Sequence, residues 1–243
     1  MTLYLIGLGL GDVKDITIRG LEIVQNCHEI YLENYTSLLQ SSIRELENLY
    51  KKKIFLADRN LVENKFSEII QRAKDLDIAL LIIGDVFSAT THIAILQEAR
   101  LNKIPYRIIN NASVLTAVGI TGLEIYKFGR TASIPFNNKD IKTPITILKE
   151  NQKSNLHTLF LLDLDNINKK YLTIKDAVNY LEKNKIKSST LAVACARLGS
   201  DNVIKSGALK ELKNKDYGKP PYCLIIPAKK LHFMEEDMLK EWK

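Results

Sequence analysis

Short, nearly unbroken apolar runs alternate along this chain with longer stretches whose apolar residues return every three or four positions. In the N-terminal half, Leu3 to Leu8, Glu29 to Leu32, Ile54 to Ala57, Ile78 to Ile83 and Tyr106 to Ile109 predict strands. Between them, Thr17 to Asn26, Ser42 to Lys51, Val62 to Lys74 and Thr91 to Leu101 carry the helical period. Strict alternation of the two predicts a mainly parallel sheet. A run as apolar as Ala79-Leu80-Leu81-Ile82-Ile83 predicts that both faces of that sheet are covered. Beyond about Asn110 the spacing shortens. Strands are predicted at Thr131 to Pro135, Thr158 to Leu162, Thr190 to Ala196, Asn202 to Ser206 and Tyr222 to Ile226, with helices at Ile141 to Lys153 and Thr173 to Asn184. The expectation is two α/β domains, residues 1–112 and 113–243. A chain of 243 residues, 46% of them hydrophobic, is long enough for two cores.

The first strand runs into Gly7-Leu8-Gly9-Leu10-Gly11-Asp12. Glycines at every second residue at a strand's carboxyl end permit positive φ and let a ligand approach main-chain N–H groups. Two alternatives stand at this point: a nucleotide-like ligand, or a buried strand with a tight turn. A dinucleotide fingerprint requires a third glycine where this chain has Asp12, although Glu33 lies where a ribose-binding acid would fall.

Two more strand ends carry small or polar residues before a helix. In Gly84-Asp85-Val86-Phe87-Ser88-Ala89-Thr90-Thr91-His92, Asp85 is either a ligand for ribose hydroxyls or an amino group, or a turn residue. Thr90 and Thr91 are candidate caps, and His92 reads as a helix-surface or interface residue. In Asn110-Asn111-Ala112-Ser113-Val114, Ser113 starts a helix. In an open α/β sheet such ends converge on one crevice, which favours a pocket. Ala117 to Gly129 pairs glycines with apolar residues, a pattern that fits a helix and turn at a subunit contact.

Charge and cysteine usage narrow the class. The 35 basic and 28 acidic side chains give +7, which favours an acidic partner. The lysines gather at helix ends and loops (Lys51 to Lys53, Lys183 to Lys187, Lys210 to Lys219), so no nucleic-acid face is expected. Cys27, Cys195 and Cys223 are far apart, and His28, His92, His157 and His232 lack ligand spacing. Neither a disulfide framework nor a metal site is expected, and buried thiols suit a reducing cytoplasm. No apolar run approaches the roughly 18 residues of a membrane span, and no basic segment precedes the first one. The sequons Asn34-Tyr35-Thr36 and Asn111-Ala112-Ser113 are then chance matches. No triad, Walker loop or paired-carboxylate spacing is present, so no catalytic residue is named.

Taken in order, Leu3 to Thr17, Tyr35 to Leu38, Gly84 to His92, Gly119 to Gly129, His157 to Leu159 with Leu162-Asp163, Ala196 to Ser200 and Gly218 to Tyr222 resemble one family. It is the diphthine synthases, within the class III, tetrapyrrole-type methyltransferases. The resemblance implies two α/β domains with the cofactor in the cleft between them, in a homodimer. It implies S-adenosylmethionine as cofactor and S-adenosylhomocysteine as product. The implied cofactor positions are Leu10, Asp85, Ser88, Ser113, Val114, Leu162, Leu198 and Tyr222. The implied substrate is translation elongation factor 2, whose 3-carboxy-3-aminopropyl-modified histidine is methylated on its amine. The chain departs from the family at Val86, where proline is usual, at Ser88, where a small or apolar residue is common, and at Tyr222, where histidine is usual. Rivals are another class III methyltransferase, acting on a tetrapyrrole precursor or ribosomal RNA, and a nicotinamide-dependent oxidoreductase.

Overall fold

A computed structural model describes all of residues 1–243. The chain forms two compact units, Met1–Leu115 and Thr116–Lys243, which divide three residues beyond the 112/113 boundary expected from the sequence.

The first unit runs β1 (Leu3–Gly7), α1 (Ile18–Asn26), β2 (Glu29–Glu33), α2 (Ile43–Tyr50), β3 (Phe55–Ala57), α3 (Phe66–Arg72), β4 (Ile78–Ile82), α4 (Ile93–Leu101) and β5 (Tyr106–Ile109). The five strands are all parallel, in the order β3-β2-β4-β1-β5. Side chains alternate across a strand, and β1 uses both faces. Leu3 and Leu5 join Phe66 and Ile70 of α3 and Ile95 and Ala99 of α4. Ile6 and Leu8 join Val24 of α1 and Leu46 and Tyr50 of α2. Caps set the helix starts: the Thr17 hydroxyl accepts from Gly20 N–H, and Ser42 and Glu45 form a reciprocal capping box. The helix expected from Val62 to Lys74 is a wider π-turn, Leu61–Lys65, followed by α3.

The connections from β1 and β4 leave in opposite directions, to β2 and to β5, with α1 and α4 on opposite faces. These two strands are neighbours. Their carboxyl ends are therefore the switch point of the sheet, where an open α/β sheet leaves room for a ligand.

The division between the units falls in a short helix, α5 (Val114–Ala117). The second unit continues with β6 (Ala132–Ile134), α6 (Thr143–Lys153), β7 (Thr158–Leu162), β8 (Leu164–Asp165), β9 (Lys170–Tyr171), α7 (Ile174–Lys183), β10 (Leu191–Ala196), β11 (Val203–Ala208), α8 (Leu209–Leu212), β12 (Tyr222–Ile226) and α9 (Phe233–Glu241). Its main sheet has the order β11-β10-β12-β7-β6, parallel only between β6 and β7. Leu148 of α6, Leu181 of α7 and Leu209 of α8 pack with Phe160, Ala194 and Leu224 of the strands.

The segment Gly119 to Gly129 is two 3-10 turns rather than a helix, and its glycines are packing requirements inside this unit. A Cβ on Gly122, whose φ is +85°, would lie 2.3 Å from Cβ of Met238, and one on Gly129 would lie 2.2 Å from the Asn151 amide oxygen. The helix α9 escapes the hydrophobic pattern because its buried positions are Glu235 and Leu239, while Phe233 and Met234 are exposed. Glu235 is fully buried and accepts from Glu124 N–H (3.1 Å), His232 N–H (2.8 Å), the Lys127 ammonium and His157 Nε2 (2.8 Å). Because Ala228 N–H donates to His157 Nδ1 (2.9 Å), this imidazole is the neutral tautomer protonated at Nε2. Burial disfavours the imidazolium more than the Glu235 carboxylate favours it, so the pKa of His157 lies below 6.5. Burial alone would push Glu235 up, but Lys127 and the two main-chain donors hold it down to about 2.

Both shifts act in the same direction. The unfolded chain takes up a proton at His157 near 6.5 and at Glu235 near 4.5, while the folded chain resists both. Stability is therefore expected to fall as pH drops below about 6.5, and again between about 4.5 and 2. Thermal unfolding between pH 8 and 4 checks this, and a Tm independent of pH would refute it. Glu235→Gln, which leaves Lys127 without its carboxylate, is expected to cost about 3 kcal/mol in urea denaturation.

Candidate functional site

Three strand ends of the first unit are tied into one edge. Beyond β1 the chain turns at Gly9, φ +79°, and Gly9 and Gly84 exchange main-chain hydrogen bonds of 3.2 and 2.8 Å. A Cβ on Gly7 would lie 2.7 Å from the Gly84 carbonyl oxygen, so only glycine lets the two loops come this close. The third end joins through Asn111, whose side-chain amide donates to Gly7 O (3.0 Å) and Asp15 O (2.9 Å). Asp85 completes the junction. One of its oxygens accepts from the Asn110 amide (3.0 Å) and Asn111 N–H (3.1 Å), the other from Phe87 N–H and the Ser88 hydroxyl, both 3.2 Å. Burial pushes its pKa up, but these four donors outweigh that and hold the carboxyl below the usual range.

The glycine turn presents main-chain donors, and they are already in use. Leu10 N–H (3.2 Å) and Gly11 N–H (2.7 Å) both donate to Asp15 Oδ2. An internal carboxylate thus fills the concavity that would hold a pyrophosphate in a dinucleotide site. Asp12 caps the following 3-10 turn by accepting from Lys14 N–H (2.7 Å). Glu33 is fully buried and accepts from Tyr35 N–H, Thr36 N–H and the Thr36 hydroxyl, so it holds its own turn and is committed away from any ribose.

In the second loop, the Thr90 hydroxyl (2.9 Å) and His92 Nδ1 (3.2 Å) both meet Val86 O, around Ala89 at φ +60°. His92, expected at a helix surface or an interface, is 1% exposed and buried within this unit, and neither Thr90 nor Thr91 caps α4, whose N-cap is His92 itself. A non-glycine residue in the left-handed region is strained, and loops of this kind concentrate at functional sites.

The expected site residues fall into two groups, one per unit. Leu10, Asp85, Ser88, Ser113 and Val114 lie at the carboxyl ends of β1, β4 and β5. Ser113 is buried. In the second unit, Cys223 faces Leu161 and Tyr222 faces Ala196, so Leu162, Tyr222 and the turn carrying Leu198 share one end of the sheet. The side chains of Leu162 and Leu198 are buried, and the Tyr222 hydroxyl donates to Gly218 O. These three positions therefore offer main chain more readily than side chain. Arg197 fastens this end: with φ +50°, it donates from its own N–H to Pro221 O (2.9 Å), from Nε to Asp201 O (3.0 Å) and from Nη1 to the carbonyls of Tyr217 and Lys219. The functions of Asn111, Asp15 and Arg197 escaped the sequence reasoning. Spacing held one signal, an aspartate four residues after Gly11.

The residues of the first unit fit a cationic ligand. The loops 7–12, 84–92 and 110–114 contain no lysine or arginine, and Asp85 and, beside Lys14, Asp15 bring carboxylates to the edge, each already met by internal donors. Gly84 leaves a cradle: at φ +88°, a Cβ there would meet only Leu10 Cδ2 at 3.7 Å and Ala112 O at 3.9 Å. No group of three or more His, Cys, Asp or Glu has the arrangement of a metal site.

Residues 2–213 match the family model described as Tetrapyrrole (Corrin/Porphyrin) Methylases. The diphthine synthase of Archaeoglobus fulgidus is 41% identical over 243 residues, covering 99% of this chain and 95% of the relative. The diphthine methyl ester synthase of Homo sapiens is 40% identical over 267 residues, covering 98% and 93%. A crystal structure of a diphthine synthase superposes with a TM-score of 0.94 at 40% identity, covering 100% of this chain and 96% of that one.

Asp85→Ala, which orphans four donors, is expected to lower stability by about 2 kcal/mol, and Ser88→Ala, which removes one of them, by less than about 1 kcal/mol. Urea denaturation of the two variants checks this, and equal losses would count against Asp85 as the clamp.

Proposed function

The chain belongs to the tetrapyrrole methylase family and, within it, to the diphthine synthases, and on that footing we propose that it methylates translation elongation factor 2 using S-adenosylmethionine. The acceptor is the amine of the 3-carboxy-3-aminopropyl group on a modified histidine, and the reaction belongs to diphthamide biosynthesis. The observation that carries the cofactor assignment is the acidic edge of the first unit, where Asp15 occupies the main-chain donors and Gly84 leaves space beside Leu10. A sulfonium with an ammonium group suits that edge, whereas the pyrophosphate of a nicotinamide dinucleotide meets two carboxylates and finds the main-chain donors of the glycine turn already occupied.

When bound, the cofactor supplies a methyl group that an amine lone pair can take while sulfur keeps the electron pair of the broken bond. The chain's part is alignment. Asp85 and Asn111 fix the three loops relative to one another, and Leu10 offers an apolar contact. In the second unit, Arg197 fixes the main chain at Leu198 and Tyr222. We name no general base: the amine reacts neutral, and solvent takes its proton between rounds. A second reading, transfer to a carboxylate, is favoured by the name of the human relative, a methyl ester synthase.

The homodimer rests on an exposed apolar group in the second unit, Ile120, Ile125, Tyr126 (87% exposed), Phe233 and Met234. Cys27, Cys195 and Cys223 are free, which suits a cytoplasmic setting, and no helix is long and apolar enough to cross a membrane.

The test is mass spectrometry of elongation factor 2 carrying the unmethylated precursor, after incubation with the chain and S-adenosylmethionine. Methyl additions that survive mild base are expected; base-labile additions would replace amine by ester, and none at all would refute the activity. Calorimetry should register S-adenosylmethionine and not NADH. Tyr126→Glu is expected to shift the sedimentation of the chain toward the monomer, and a wild-type chain that is already monomeric would overturn the dimer.

A further inference from the structure

Charge is divided unevenly between the two units. Of the 35 Lys and Arg, 22 lie in Thr116–Lys243, against 14 of the 28 Asp and Glu, so the whole positive excess belongs to the second unit. Part of it surrounds an open cavity of about 380 Å³, lined by Thr173, Lys175, Lys213, Lys215, Tyr217 and Tyr222 among others. Lys213 is paired with Glu182 at 2.7 Å, whereas Lys175 and Lys215 have no acidic partner within 4 Å. The carboxylate that also lines the cavity, Asp216, accepts from Gly218 N–H (2.8 Å) and shapes the loop. Lys175 stands in the first turn of α7, beside the positive end of the helix dipole, where a cation weakens the helix. Two unpaired ammonium groups at one cavity, one of them at the wrong end of a helix, raise the free energy of the isolated chain and lower it when an anion arrives.

We propose that this cavity is the docking site for an acidic segment of the protein substrate, whose Asp and Glu carboxylates replace the missing partners of Lys175 and Lys215. The proposal rests on the reading of the chain as a protein methyltransferase. Nucleic acid fits the cavity less well, since single strands need exposed rings for stacking. Tyr217 is buried with its hydroxyl bonded to Leu212 O (3.0 Å), and the Tyr222 hydroxyl is bonded to Gly218 O. Tyr222 opens β12, so the cavity adjoins the sheet end that carries Leu162 and Leu198.

The experiment compares Lys175→Glu with Lys215→Glu, as a double variant of the full chain, with an equal charge change at the exposed Lys183 and Lys187. With elongation factor 2 carrying the precursor as substrate, the cavity variant is expected to raise KM about tenfold and flatten its dependence on salt. Its kcat and its affinity for S-adenosylmethionine should stay within about twofold of wild type, and the Lys183/Lys187 variant should match wild type throughout. Binding of a fluorescent polyglutamate peptide, read by anisotropy, should weaken in parallel. An unchanged KM, equal effects of the two charge reversals, or displacement of the peptide more readily by a single-stranded oligonucleotide than by unlabelled polyglutamate would overturn the proposal. Should wild type bind the peptide through these lysines yet transfer no methyl group, the activity fails and the docking site stands.

Discussion

The first unit depends on one carboxylate. Asp85 takes four hydrogen bonds from two different loops, and one of its donors, Asn111, passes the connection on to the carbonyls of Gly7 and Asp15. Each loop separately would be a flexible connection at the rim of a sheet. Joined, they form a continuous edge whose polar groups are satisfied by one another. This explains why glycine is needed at Gly7, where the loops touch; at Gly84 it is the positive φ of +88° that favours glycine. The edge is thus held in one arrangement by its own hydrogen bonds.

The second unit solves the same mechanical problem with the opposite charge. Arg197 gathers main-chain carbonyls from the segments on either side of Leu198 and Tyr222, as Asp85 gathers donors. Deeper in that unit, Glu235 joins the 3-10 turn around residues 124–127, His157 just before β7 and the start of α9. In each case one charged group with several partners does what several apolar contacts could not: it specifies a single arrangement of irregular backbone.

The elements legible in the sequence are those whose burial is apolar and periodic. All five strands of the first unit, and the five longer strands of the second, follow the apolar runs to within a residue or two at most ends. The β8–β9 hairpin, two residues a strand, is too short for any period to register. The helix α9 is hidden for a different reason, since it buries a glutamate and exposes Phe233 and Met234. At the site, spacing identified the loops but not the partners. Nothing in Gly84-Asp85 says that its donors come from Asn110 and Asn111, because that pairing exists only once β4 and β5 flank β1. The chemistry of the edge was likewise decided by topology, which folds Asp15 back onto Leu10 and Gly11.

That internal carboxylate has a consequence for life among other metabolites. Cells are crowded with nucleotides and phosphates, and a glycine turn of open N–H groups would be occupied by whichever anion was most abundant. Here the competitor is part of the chain, four residues from the turn, and its binding is intramolecular. The turn keeps the close approach that glycine allows while its N–H groups are already occupied, so a free phosphate has to displace a tethered carboxylate to bind there.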